Sequence, residues 1–194
     1  MCELADRSSP RGITQSCEDP EPYFEDLMRV YARAYAGLEQ YAYEDPEELR
    51  AYLAWLKYHG QGKIIIVRAD GRIIGFAAVE CRRHFARKGT VGEIHEIVVD
   101  PRYQQHGIGR QLFAQACRML EQKGCDKLKL LVGATNERAR GFYTRQGFRE
   151  TGRLGKWIRM ERVAPRSVPR PQLAAASGAT ARGGAYPGSV RVAR

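Results

Sequence analysis

Between Gly92 and Val132 the chain passes from a strand pattern, GEIHEIVV, through a glycine turn into a helix, and from there into a second strand pattern, KLKLLV. The join is VDPRYQQHGIGRQLF, with Gly107 and Gly109 where strand gives way to helix. From near His106 onward, Ile108, Leu112, Phe113, Ala116, Met119 and Leu120 recur at helical spacing on one face. A strand, helix, strand unit needs a sheet around it, and the flanking sequence supplies one. The runs KIIIVRAD (63–70) and RIIGFAAVECR (72–82) meet at Asp70-Gly71, the strongest short hairpin signal a sequence offers. NERARGFYTRQ, ended by Gly147, predicts a helix, and Phe148 onward a final hairpin through Gly155. Upstream, Asp45, Pro46 and Glu48 give an N-cap, a first-turn proline and a capping-box carboxylate. They start a helix from about Pro46 to Tyr58 that buries Leu49, Tyr52, Leu53 and Leu56 and is closed by Gly60. Asp19 and Pro20 open a similar helix carrying Phe24, Leu27, Met28, Tyr31 and Tyr35. The expected fold class is α/β of the α+β type: a mixed, mostly antiparallel central sheet flanked by helices, in a single domain.

Composition narrows the function classes. A chain of 194 residues with 43% hydrophobic and 28% charged residues suits one domain with a real core. No apolar run approaches the ~20 residues of a membrane helix, so no membrane partner is expected. MCELADRSSPRG lacks the apolar segment of a secretory signal, which predicts a cytoplasmic protein. Cys2, Cys17, Cys81, Cys117 and Cys125 are odd in number and without paired spacing, which argues against a disulfide framework and against a CxxC metal site. The net charge of +10 is half explained by Arg166, Arg170, Arg182, Arg191 and Arg194, which have no acidic residue among them. That stretch, rich in Pro, Gly, Ala and Ser, reads as a disordered, solvated tail. The resulting organisation is a partly flexible N-terminal segment (1–18), a domain (19–162) and a basic tail (163–194). Nucleic-acid binding through the tail is the competing reading, and the core offers it no aromatic and basic platform.

The glycine turn points to a phosphate-bearing ligand. Glycines at a helix start let backbone approach a ligand closely, and the first-turn N–H groups face outward with the positive end of the helix dipole behind them. A dinucleotide fingerprint would need a third small residue where Leu112 stands, and the Gly-Lys-Ser/Thr of a nucleotide-triphosphate loop is absent. On spacing alone the turn holds a pyrophosphate or is a plain tight turn.

Gln104-Gln105-His106-Gly107-Ile108-Gly109 resembles the Q/R-x-x-G-x-G/A motif of the GNAT acetyltransferase superfamily. Three further stretches fall where that family has them: Ile97-Val98-Val99 with Asp100-Pro101 is similar to its splayed strand, Asn136-x-x-Ala139-x-x-Phe142-Tyr143 to the helix that follows, and Gly147-Phe148 to that helix's exit. The similarity spans about 64–161. It implies an N-acetyltransferase that moves the acetyl group of acetyl-CoA to a primary amine by direct attack in a ternary complex. By that resemblance, the backbone of Ile97, Val98 and Val99 pairs with the pantetheine arm, and an N–H near Val98 polarises the thioester oxygen. Gln104 opens the motif. The N–H groups of Gln105, His106, Gly107, Ile108, Gly109 and Arg110 cradle the pyrophosphate, and the Arg110 side chain adds charge. Asn136 hydrogen-bonds the pantetheine or a water beside it, and Tyr143 is the general acid for the departing thiolate. Taken singly, Tyr143 beside Phe142 reads as packing and Asn136 as a helix start; their joint spacing with the turn carries the functional reading.

The base has two candidates. Glu93, eleven residues before Gln104, stands where the histone-acetyltransferase branch has its glutamate, and Glu96 where the glucosamine-phosphate branch has an acidic residue. Strand alternation puts them on opposite faces unless a bulge intervenes. His95, between them, reads as a structural histidine. Leu131 stands where the ribosomal-protein alanine acetyltransferase branch carries a glutamate, a departure from that branch. The acceptor is expected to be a small-molecule amine or a protein amine. Tyr35, Tyr41 and Tyr43 with Glu39, Glu44 and Asp45 would form an aromatic and acidic wall suited to a cation. A non-catalytic acyl-CoA sensing domain is the alternative class, and a homodimer is left open.

Overall fold

The computed structural model describes residues 12–84 and 89–164, with backbone alone at 83 and 84. The tail from 165 onward and residues 1–11 lie outside the described residues, and with them most of the basic segment expected to be disordered. Seven strands form one sheet in the order β1-β2-β3-β4-β5-β7-β6. They are β1 (Thr14–Glu18), β2 (Ile64–Ala69), β3 (Arg72–His84), β4 (Gly89–Val99), β5 (Lys127–Gly133), β6 (Arg149–Leu154) and β7 (Trp157–Val163). All neighbours are antiparallel except β4 and β5, which are joined by the helix crossover. The helices are α1 (Phe24–Ala34), α2 (Pro46–His59), α3 (Ile108–Gln122) and α4 (Glu137–Arg145).

Local chemistry accounts for the element ends. The Asp45 carboxylate accepts from the N–H groups of Glu47 and Glu48, and Pro46 occupies the first turn, so α2 starts where two signals coincide. Asp70 (φ 47°) and Gly71 (φ 77°) both take the left-handed backbone that a two-residue hairpin of the right twist requires. The central strands are buried on both faces, while β6 is exposed along its length. Ile65, Val67, Ile97 and Val99 pack with Leu112, Phe113, Ala139 and Phe142 of α3 and α4, whereas Ile64, Ile66, Phe76 and Val98 pack with Leu27, Tyr31, Leu53 and Leu56 of α1 and α2. Strand β1 lies within the stretch for which the sequence indicated no element. TQSCE has no apolar alternation and is held as an edge strand by its ladder to β2 and by the Arg68–Glu18 ion pair, 2.6 Å.

Two irregularities shape the centre. Strands β4 and β5 pair only from Val91↔Lys127 to Ile94↔Leu130; beyond that β4 continues along β3 and β5 along β7, so a wedge opens between them. Within β4, Glu96 pairs with Ala78 and Ile94 with Val79, which leaves His95 as the extra residue of a bulge.

Candidate functional site

The glycine turn sits at the wide end of the wedge. Gln105 (φ 69°) and Gly107 (φ 78°) are both left-handed, and Gly107 is the N-cap of α3 without any side-chain acceptor. No acidic residue occupies the first turn of α3, and Gln105, His106, Gly107 and Arg110 are exposed while Ile108 and Gly109 are buried. The turn is tied to its own strand: Gln104 Nε2 donates to the Val99 carbonyl (3.1 Å), and His106 Nδ1–H donates to the Gln104 carbonyl (2.8 Å). Asp100, 1% exposed, is the nearest acid along the chain. Burial works against its charge, but hydrogen bonds from Arg102 and Arg33 hold its carboxyl below the usual carboxylate range. Its charge is thus spent on two guanidinium groups, and the turn stays favourable to an anion.

The backbone of β4 lines the wedge. The Asp100 N–H donates to the Ile74 carbonyl (2.8 Å), and Val98 is the partner of Phe76, so the even-numbered residues direct their backbone groups at β3. By the two-residue period, the N–H and C=O groups of Ile97 and Val99 face the open side. Opposite, the α1–α2 connection is pinned across the free end of β5. Tyr41 Oη pairs with Thr135 Oγ1 (2.9 Å) and accepts from the Thr135 N–H (3.1 Å), its ring packs on Trp157, and Lys156 donates to the Gln40 carbonyl. Gly133 makes that approach possible, because a Cβ there would lie 2.5 Å from the Tyr41 ring.

The bulge resolves the question of the two carboxylates. Glu93, His95 and Glu96 all reach the α1/α2 face, while Ile94 turns to the α3 side. Glu96 is wholly buried and accepts from Tyr35 Oη (3.2 Å) and Tyr52 Oη (3.1 Å). Burial first, then the Glu96 charge, pushes both phenols well above the usual tyrosine range, so they remain donors. Glu93 lies lower, where β4 and β5 are still paired, 3.7 Å from Arg82. His95 Nε2 meets Glu80 Oε2 at 2.9 Å, and Glu80 also holds His59 (3.0 Å) and Arg82 (2.5 Å). Burial opposes ionisation of Glu80, but those three partners, His95 foremost, hold its carboxyl well below the usual range. Ligand atoms of His59, Glu80 and His95 lie within 4.8 Å of one another. Two features favour an ion-paired network over a metal centre: Arg82 already supplies the compensating charge, and His95 Nδ1 lacks the second partner that metal-bound imidazoles keep.

The remaining sequence-derived residues divide by face. Tyr143 is fully buried on the α3 side, its ring centroid 5.5 Å from Phe113 and 5.3 Å from Phe142, in one cluster with Ile97, Val99 and Ala139. Asn136 caps α4 through Oδ1, which accepts from the Ala139 N–H (3.1 Å). Of the expected acceptor wall, Tyr35 and Tyr41 are buried, Asp45 is committed to capping α2, and Glu39 accepts from the Gly37 N–H (2.6 Å). Sequence reasoning missed Tyr52 as a Glu96 partner, because its helical spacing marks it as core and nothing local shows what its hydroxyl meets.

Residues 24–148 match the sequence profile of the acetyltransferase (GNAT) family. The chain belongs to that family. An uncharacterized N-acetyltransferase of Archaeoglobus fulgidus is 37% identical over 135 residues, covering 68% of this chain and 91% of its own length. A solved Pyrococcus horikoshii protein superposes with a TM-score of 0.66 at 30% identity, covering 77% of this chain and 98% of that one. A Thermoplasma acidophilum PaiA N-acetyltransferase, solved with coenzyme A, shares the fold (TM-score 0.60, 18% identity, 77% and 99% covered). In this GNAT chain the wedge, the turn and the buried carboxylate stand on one continuous stretch of strand, turn and helix.

Proposed function

We propose that this GNAT protein transfers the acetyl group of acetyl-CoA to a primary amine, carried by a small molecule or a protein. The observation that supports it best is the open β4 edge running straight into a left-handed glycine turn: a backbone slot that ends in an anion site. An extended pantetheine arm carries amide groups that pair with Ile97 and Val99 as a strand would, and the attached pyrophosphate takes the N–H groups from Gln105 to Arg110. An N–H on the open edge beside Val98 polarises the thioester oxygen. The amine nitrogen attacks the thioester carbon; as the C–N bond forms and the C–S bond breaks, the thiolate takes the Tyr143 phenol proton and the amine's excess proton passes to the carboxylate side.

Of the two carboxylates, Glu96 fits that last task better. It lies where the wedge has opened, on the same face as Val98, and two phenols fix its orientation, whereas Glu93 lies in the paired segment beside Arg82. Glu96→Gln is expected to lower kcat/KM for the amine by about 100-fold while leaving the Kd for acetyl-CoA unchanged, with Glu93→Gln close to wild type. Steady-state kinetics and a titration on both variants check this. A wild-type rate in Glu96→Gln, or the larger loss in Glu93→Gln, would reverse the assignment.

A further inference from the structure

Cys81 on β3 and Cys125 in the turn before β5 are 44 positions apart in sequence, yet their Sγ atoms lie 3.2 Å from one another. Odd number and irregular spacing gave no sign of a pair; the fold makes it, because the turn that follows α3 returns beneath β3 at that point. The two thiols are unequal. Cys81 is half-buried and its Sγ lies 4.0 Å from the Lys123 carbonyl, while Cys125 is 5% exposed and donates its S–H to Cys81. That hydrogen bond, then burial, pushes the Cys125 thiol above its usual range, and Cys81, the more exposed of the two, is the sulfur that a small disulfide meets first. Cys117 differs from both: it is buried on α3, with its thiol pushed up to about 12 by burial.

We infer that Cys81 and Cys125 form a reversible dithiol–disulfide site that accepts low-molecular-weight disulfides. The chemistry balances in two exchanges. The Cys81 thiolate attacks one sulfur of the small disulfide; its S–S bond breaks, a mixed disulfide forms on Cys81, and the displaced thiolate takes up the proton that Cys81 released. With Cys81 capped, the hydrogen bond and charge that hold the Cys125 proton are removed. The Cys125 thiolate then attacks Cys81 Sγ, and the second small thiol leaves with the Cys125 proton. Two protein thiols are oxidised, and one small disulfide is reduced to two thiols. The bond encloses β4, the glycine turn and α3 in one covalent ring, closed at the end of the sheet where β4 and β5 are still paired. This site is independent of the acetyl-transfer reading and stands or falls without it.

The test exposes the full-length protein to oxidised glutathione, then denatures it, alkylates the remaining thiols and maps the peptides by mass spectrometry. The expected result is a cross-linked 81–125 peptide, loss of alkylation at both of those cysteines, and recovery of both with dithiothreitol, while the exposed Cys17 takes at most a glutathionyl group and no cross-link. Closing a ring of this length restricts the unfolded chain, so the oxidised form should melt about 5 °C or more above the reduced form. Cys81→Ser should show neither the cross-link nor the shift, while Cys117→Ser should show both. Two outcomes would overturn the inference: both thiols still alkylated after oxidation, or a glutathionyl group retained on Cys81 without closure.

Discussion

Gly107→Val is expected to weaken acetyl-CoA binding by at least about tenfold while the protein still folds. Gly107 holds φ 78°, where a side chain costs roughly 1–2 kcal/mol and a β-branched one sits least easily. If the turn keeps its shape, that strain lowers stability; if the turn relaxes, its N–H groups leave the arrangement that faces the pyrophosphate. About 1.4 kcal/mol of lost binding is tenfold in Kd, which is the size of the strain a ligand must restore when the free turn has relaxed. A Cβ at Gly107 would meet no protein atom within 4 Å, so the substitution disturbs no packing. Gly107→Ala should fall between wild type and valine. Calorimetric titration with coenzyme A, alongside thermal unfolding, separates the effects. Unchanged affinity in a folded Gly107→Val protein would mean that the turn does not hold the pyrophosphate.

Tyr143→Phe is expected to lower turnover by about 100-fold with little change in the Kd for acetyl-CoA. The ring is buried between Phe113 and Phe142, and phenylalanine keeps that packing while removing only the hydroxyl. In the proposed mechanism, what is lost is the proton for the departing thiolate. A purely structural tyrosine would show the opposite pattern, a lower unfolding temperature with turnover intact. Turnover at the wild-type rate would therefore assign Tyr143 to the core alone.

Elements whose signals are local were legible in the sequence. Asp45-Pro46 placed the start of α2 because capping involves neighbours, and Asp70-Gly71 placed the hairpin because two left-handed residues decide it. The glycine turn was legible for the same reason, and α3 begins at Ile108 with Gly107 as its N-cap, next to the expected start near His106. Features that depend on distant partners were not. Strand β1 exists because β2 offers it an edge, and TQSCE carries no pattern of its own. The bulge at His95 is a mismatch between two strands, visible only once β3 is beside β4; it places Glu93 and Glu96 on one face against simple alternation. Tyr52 has the spacing of an ordinary core position although its hydroxyl donates to Glu96, and Cys81 and Cys125 are brought together only by the return of the chain after α3. The site's polar partners come from α1, α2, β3 and β4, so its frame was readable along the chain and its wiring was not.

The most direct measurement is release of the coenzyme A thiol from acetyl-CoA across polyamines, amino sugars, aminoglycosides, amino acids, and lysine or N-terminal peptides. The account predicts thiol release that depends on one class of primary amine, with a matching acetylated product by mass spectrometry. Tight binding of acetyl-CoA with no amine-dependent release in any class would contradict it and make the wedge a sensing site.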